Sequence, residues 1–255
     1  MTERPGEFTE DAFLGGQLRL RQPKSGHRAG HDAILLAAAT PACPGDRVVD
    51  FGAGIGAAGL AVARRVAGIR LALVEIDEGL SSLARDNAIS NALTADIIVL
   101  DVTSGADAFI AAALPADSAD VVLMNPPFND PARHRASPEK AREIAHVATA
   151  TTLESWIHAA RRTLKSGGAL SLIWRADGLA EVLAALERGF GSLAILPVHG
   201  DPAAPAIRVL VRATKGGRAP TRVYAALMLN DKSATPNKQV QDVLAGKGVL
   251  PLANP

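Results

Sequence analysis

A chain of 255 residues, 48% hydrophobic and 21% charged, has the make-up of a soluble globular protein and is long enough for one larger α/β domain. No apolar run approaches the roughly 18 residues of a membrane span, and Met1-Thr2-Glu3-Arg4-Pro5-Gly6-Glu7 lacks the apolar core of a signal peptide, so a cytoplasmic protein without membrane contact is expected. The lone Cys43 excludes an intrachain disulfide framework, no His/Cys pair has metal-ligand spacing, and a net charge of +1 excludes a broadly basic nucleic-acid binder.

Residues 1–30 read as irregular, with a hairpin through Phe13-Leu14 and Leu18-Arg19-Leu20. A helix follows from His31 to Thr40, stopped by Pro41 and Pro44. Strands are then expected at 47–51, 70–75, 96–100 and 119–124, alternating with helices at 56–67, 79–92 and 104–113. After a loop at 126–145 come a helix at 149–165, a strand at 169–174, a helix at 178–188 and strands at 192–198 and 206–213. Such alternation predicts an α/β fold, a doubly wound and mostly parallel sheet of seven strands with helices on both faces. The segment from Pro197 to Pro205 is too short for a helix, so the last two strands are expected to close as an antiparallel hairpin. The chain divides into an N-terminal extension and helix, 1–46, and a main domain, 47–255. Trp156 and Trp174 fall in core-like contexts and are read as packing residues.

The first strand of the alternation runs into Asp50-Phe51-Gly52-Ala53-Gly54-Ile55-Gly56. Glycines there permit positive φ and let a ligand approach the backbone, and the helix that follows presents free N–H groups and a positive dipole end. The next strand ends at Glu75, 21 residues past Gly54, where a carboxylate suits two ribose hydroxyls. A third strand ends near Asp101, an acceptor for an adenine amino group. Asp50 is placed to meet a cationic amino group. With Ala53, Ile76 and Val102 beside them, these residues make the expected cofactor site. Gly52-x-Gly54-x-x-Ala57 also fits the dinucleotide pattern, and on the glycines alone nicotinamide and S-adenosylmethionine remain open.

The fourth strand of the series, beside the first in a doubly wound sheet, ends in Asn125-Pro126-Pro127-Phe128. Two prolines remove two N–H donors and fix φ, so the chain leaves the sheet in a stiff extended turn. Carbonyl acceptors without competing donors, next to an aromatic ring, suit a planar group carrying an NH₂. The four residues are the expected catalytic set, with Asn125 also facing the cofactor and Phe128 stacking on the substrate. A turn of no chemical importance is the plainer alternative.

Together, Asp50-x-Gly52-x-Gly54-x-Gly56, Glu75, Asp101 and the tetrad resemble the class I S-adenosylmethionine-dependent methyltransferases. Within them the chain is similar to the amino-methyltransferases signed (Asn/Asp/Ser)-Pro-Pro-(Tyr/Phe/Trp). Upstream, Gln22-x-x-x-Gly26-x-Arg28-x-Gly30-x-Asp32-x-x-Leu35-Leu36-Ala37 resembles the start of bacterial tRNA adenine-N6 methyltransferases that modify a valine tRNA beside its anticodon. The resemblance covers residues 14–175 well and the last 80 residues only vaguely. It implies S-adenosylmethionine as cofactor, tRNA as partner and an exocyclic amine as methyl acceptor. Phe128 stands where many relatives carry tyrosine, so stacking is kept and a phenol hydrogen bond is not available. A methyltransferase of protein amides or small molecules, including O-methylation, and a nicotinamide-dependent oxidoreductase are the alternatives.

Charge is unevenly spread. Residues 131–142 carry Arg133, Arg135, Lys140 and Arg142 against Glu139, and residues 201–255 carry eight Lys/Arg against three Asp. Arg133 and Arg135, with the tail cations, are expected to form one phosphate-binding surface; ordinary solvated loops are the alternative.

Overall fold

The computed structural model describes residues 8–24, 28–127, 140–230 and 237–254, with side chains left undescribed for 140–151. The N-terminal segment is a two-stranded antiparallel hairpin, β1 (Phe8–Phe13) and β2 (Leu18–Pro23), followed by α1 (His31–Ala39). The hairpin is longer than the sequence reading of it. Its inner face is legible in β2, where Leu18, Leu20 and Gln22 are buried and Arg19 is exposed.

The body alternates β3 (Arg47–Phe51), α2 (Ala57–Arg65), β4 (Arg70–Glu75), α3 (Glu78–Ser90), β5 (Ala95–Val99), α4 (Ala106–Ala111) and β6 (Ala119–Met124). It continues with α5 (Lys140–Thr163), β7 (Leu164–Arg175), α6 (Leu179–Leu186), β8 (Phe190–His199) and β9 (Arg208–Lys215). In the sheet the order is β8-β9-β7-β6-β3-β4-β5, all parallel except β9, which runs antiparallel to both neighbours. The predicted hairpin of the last two long strands is therefore present.

The seven expected strands are all present, and among the described residues the sheet has nine. Two short strands, β10 (Arg222–Val223) and β11 (Leu227–Met228), add to the outer edge of β8 in parallel. Two residues are too few to display a period, so no alternation could announce them. A last helix, α7 (Lys238–Leu244), was also not predicted; it packs against α1.

Two apolar layers sandwich the sheet. Val48, Leu71, Leu73, Val121 and Leu123 face one layer with α1, α2, α3 and α7. Val49, Phe51, Ala72, Val74, Val122 and Met124 face the other, with α4, α5 and α6. This is the period of two expected for strands buried on both faces. Residues Leu14, Leu18 and Leu20 of the hairpin region join the first layer, so the described part of the segment 1–46 shares a core with the body. Trp174 is fully buried and Trp156 nearly so, both in the second layer.

Arg208, Arg212 and Lys215, the tail cations carried by β9, are spread along that strand rather than gathered at one place. Arg212 is buried, donating to the Leu252 carbonyl at 2.8 Å. Lys215 binds Asp117 at 2.7 Å and the Leu164 carbonyl at 2.6 Å, at the edge where the parallel strands begin. Arg208 pairs with Asp32 at 2.9 Å at the opposite edge. An antiparallel strand carries its two ends to opposite edges, so cations spaced along β9 cannot act together.

Candidate active site

The register of the central strands sets the geometry. Phe51 pairs with Val74 on one side and with Met124 on the other, so Gly52, Glu75 and Asn125 follow at one level along the carboxyl edge of three adjacent parallel strands. Glu75 in turn pairs with Val99, which places Asp101 just beyond the same edge. Open α/β sheets bind ligands along this edge.

Gly52, Gly54 and Gly56 have φ of 67°, 55° and 86°. At Gly52 the need is double, because a Cβ would also lie 2.4 Å from Cη2 of Trp156. At Gly54 nothing among the described residues comes within 4 Å of such a Cβ; there the left-handed backbone calls for glycine.

Side chains from three other elements hold this turn. Asp50 is buried beneath it and accepts from the Gly59 N–H at 2.8 Å. Gly56, the N-cap residue of α2, has no side chain to offer, so a carboxylate from the neighbouring strand caps the helix instead. Glu75 Oε2 accepts from the Gly54 N–H at 2.8 Å and Oε1 from the Asp77 N–H at 3.0 Å. The Ala53 N–H donates to the Val74 carbonyl at 2.9 Å. Burial pushes the Asp50 carboxyl up to about 7; the Gly59 hydrogen bond opposes this and the neighbouring Glu75 charge adds to it.

The third side chain was missed in the sequence. Asn87 of α3 is fully buried, and its Nδ2 donates to the Ile55 carbonyl at 3.0 Å. A visible signal existed: Asn87 and Asn91 sit on the apolar stripe of α3 with Leu83, Ala84 and Ala88.

Ile76, next to Glu75, is 62% exposed, whereas Ala53 and Val102 are buried. Asp101 Oδ1 accepts from the N–H and the hydroxyl of Thr103, at 2.8 and 2.7 Å, leaving its second oxygen unengaged by either bond. Asn125 is half-buried, Pro126 buried and Pro127 exposed, in an irregular segment leaving β6. Phe128, Arg133 and Arg135 lie outside the described residues.

The family described as the methyltransferase small domain matches residues 29–199, more than half of the chain. The chain belongs to that family. Membership removes the nicotinamide oxidoreductase alternative, and the fold is that of the class I methyltransferases. A Serratia proteamaculans relative named tRNA1(Val) (adenine(37)-N6)-methyltransferase is 28% identical over 92% of this chain and 87% of its own. A Flavobacterium psychrophilum protein of the same name is 32% identical over 63% of this chain and 67% of its own. Among solved structures, a predicted O-methyltransferase from Agrobacterium tumefaciens is 33% identical with a TM-score of 0.72, covering 86% of this chain and 98% of that one. Among the described residues no group of three or more His, Cys, Asp or Glu is arranged to hold a metal ion, and no helix is long and apolar enough to cross a membrane.

Proposed function

We propose that the protein is a cytoplasmic S-adenosylmethionine-dependent methyltransferase that methylates an exocyclic amine, adenine N6 in a tRNA anticodon loop. The observation carrying this reading is the register that brings the glycine turn, Glu75 and Asn125-Pro126-Pro127 to one level of one sheet edge. The names of the relatives supply the substrate class.

The residues fit the cofactor. Each Glu75 oxygen accepts one backbone N–H and keeps a lone pair for a ribose hydroxyl. Exposed Ile76 offers an apolar face for a purine, and the second oxygen of Asp101 an acceptor for its amino group. Among the described residues nothing covers the backbone at Gly54, which leaves it open to a ligand. Asp50 lies beneath the turn, where burial raises its carboxyl toward neutrality and its bond to Gly59 holds the start of α2 under the ligand. When bound, S-adenosylmethionine supplies an electrophilic methyl group, so the protein's task is positioning.

An amine conjugated to a purine is a poor nucleophile. Asn125 Oδ1 and the Pro126 carbonyl would accept its two N–H bonds and favour charge developing on nitrogen. Phe128 would stack on the base, worth on the order of 1–3 kcal/mol. A base in an RNA loop costs little to unstack.

Transfer of labelled methyl from S-adenosylmethionine into bulk tRNA and into protein, followed by nucleoside analysis, tests the reading. N6-methyladenosine is expected. Label in protein with none in RNA would move the assignment to the protein-amide alternative, and methylation of a hydroxyl compound alone to the O-methylation that the name of the Agrobacterium structure suggests.

A further inference from the structure

We propose that Asn87 is a positioning residue that ties the N-terminal hairpin to the cofactor turn. This rests on the reading that S-adenosylmethionine binds over residues 52–56. The Asn87 side chain uses both of its donors and one of its two acceptor lone pairs on backbone. Oδ1 accepts from the Arg21 N–H at 2.8 Å, while Nδ2 donates to the Arg21 carbonyl at 3.1 Å and to the Ile55 carbonyl at 3.0 Å. The primary amide thus imitates a strand neighbour for β2 and, with its second N–H, fixes the carbonyl at the centre of the turn.

One helical turn later Asn91 repeats half of this. Its Oδ1 accepts from the Arg19 N–H at 2.9 Å and its Nδ2 donates to the Arg19 carbonyl at 2.6 Å, and its other bonds go to the Asn87 carbonyl and the Ser90 hydroxyl rather than to the turn. Residues four apart share a helix face, and alternate strand residues point their backbone groups to one side, so α3 serves as a side-chain strand for the free edge of β2. The two asparagines therefore clamp one hairpin, yet only Asn87 reaches the cofactor turn. Ile55 precedes the N-cap of α2, so its carbonyl is not part of that helix's bonding. Without Asn87 it is a buried acceptor lacking a partner, beside two residues with positive φ. The turn then relaxes away from the geometry in which Gly54 and Glu75 face the ligand.

The contrast between the two asparagines gives the test. Asn87→Asp keeps the acceptor for Arg21 and sets a carboxylate against two carbonyls; Asn87→Ser is the milder variant, keeping one donor. S-adenosylhomocysteine affinity is measured by calorimetry beside thermal unfolding. Asn87→Asp is expected to raise Kd roughly tenfold, with Asn87→Ser between it and the native chain. The Michaelis constant for S-adenosylmethionine should rise with it, while turnover at saturating cofactor stays near native. Asn91→Asp should destabilise comparably and leave Kd within about twofold. An Asn87→Ser protein that binds like the native chain, or an Asn91→Asp protein that loses as much affinity, overturns the proposal. Should neither Asn87 variant fold, the side-chain amide resonances of the native protein decide: S-adenosylhomocysteine must shift that of Asn87 more than that of Asn91, and equal or absent shifts overturn it. Failure of the native chain to bind S-adenosylhomocysteine would instead reject the cofactor site itself. Native binding that Glu75→Ala weakens and Asn87→Asp does not would reject this inference alone.

Discussion

Burial holds the Asp50 carboxyl near pH 7 in the folded chain, against an ordinary value of 3.8. Between those values the folded state keeps a proton that the unfolded state has lost. Stability from this group is therefore fully present below about pH 4 and declines as pH rises through 7. Asp50→Asn retains an acceptor for the Gly59 N–H and should flatten that decline, an effect on the order of a few kcal/mol, readable in urea unfolding at pH 5 and pH 8. Equal slopes for both proteins would mean that Asp50 is ionised throughout. Glu75→Ala has two consequences, since it removes the ribose acceptor and frees the Gly54 and Asp77 N–H groups. S-adenosylhomocysteine affinity should fall by about 1–3 kcal/mol, and calorimetry that finds no change would displace the ribose role. Asn125→Ala leaves both prolines and should spare cofactor binding while lowering methyl transfer about 10²-fold or more in single-turnover assays. Normal turnover would reduce Asn125-Pro126-Pro127 to a turn. The carboxylates were legible from their spacing after each strand. Their backbone partners were not, because sequence spacing says nothing about which lone pairs a folded loop consumes.

Elements with a long period were the readable ones. Strands β4 and β6 agree with expectation to the residue, since a buried parallel strand is a continuous apolar run cut off by a charged or turn residue. The two-residue strands β10 and β11 and the hairpin's docking on α3 depend on tertiary contacts, so local pattern could not show them. The same holds for the packing of Trp156 under the turn. Sequence assigned Trp156 to the core but could not say that α5 brings it against Gly52 of β3's exit loop. Gly52→Ala should therefore cost more than backbone strain alone. A left-handed φ costs roughly 1–2 kcal/mol for an L-residue, and forcing a methyl group against an indole adds about 1–3 kcal/mol. Urea unfolding should show the sum, and pairing the substitution with Trp156→Leu should recover the packing share only. If Gly52→Ala unfolds like the native chain, the indole is not fixed under the turn.

At the scale of the molecule, sheet order and the neighbouring positions of β3 and β6 were legible because right-handed crossovers leave few topologies open. Charge distribution was not, because linear clustering differs from clustering in space. Buried Arg212 serves the Leu252 carbonyl, and the aliphatic residues Leu250 and Leu252 close the face of α1 beside it. Lys215 lies at the sheet edge opposite Glu75 and the exit of β6, engaged with Asp117. Buried Arg212 and Lys215 at the far edge are thus kept from the proposed site, and Arg133 and Arg135 stand as our proposal for electrostatic contact with RNA there. For single-stranded RNA each phosphate contact adds about 0.7 to the slope of log affinity against log salt. Arg133→Gln and Arg135→Gln should each lower that slope by about this amount, weaken tRNA binding and leave S-adenosylhomocysteine affinity unchanged. Lys215→Gln should leave the slope unaltered. A loss of slope in Lys215→Gln equal to that of the arginine variants would mean that RNA also crosses the far edge of the sheet, and the division between a binding edge and a structural edge would fail.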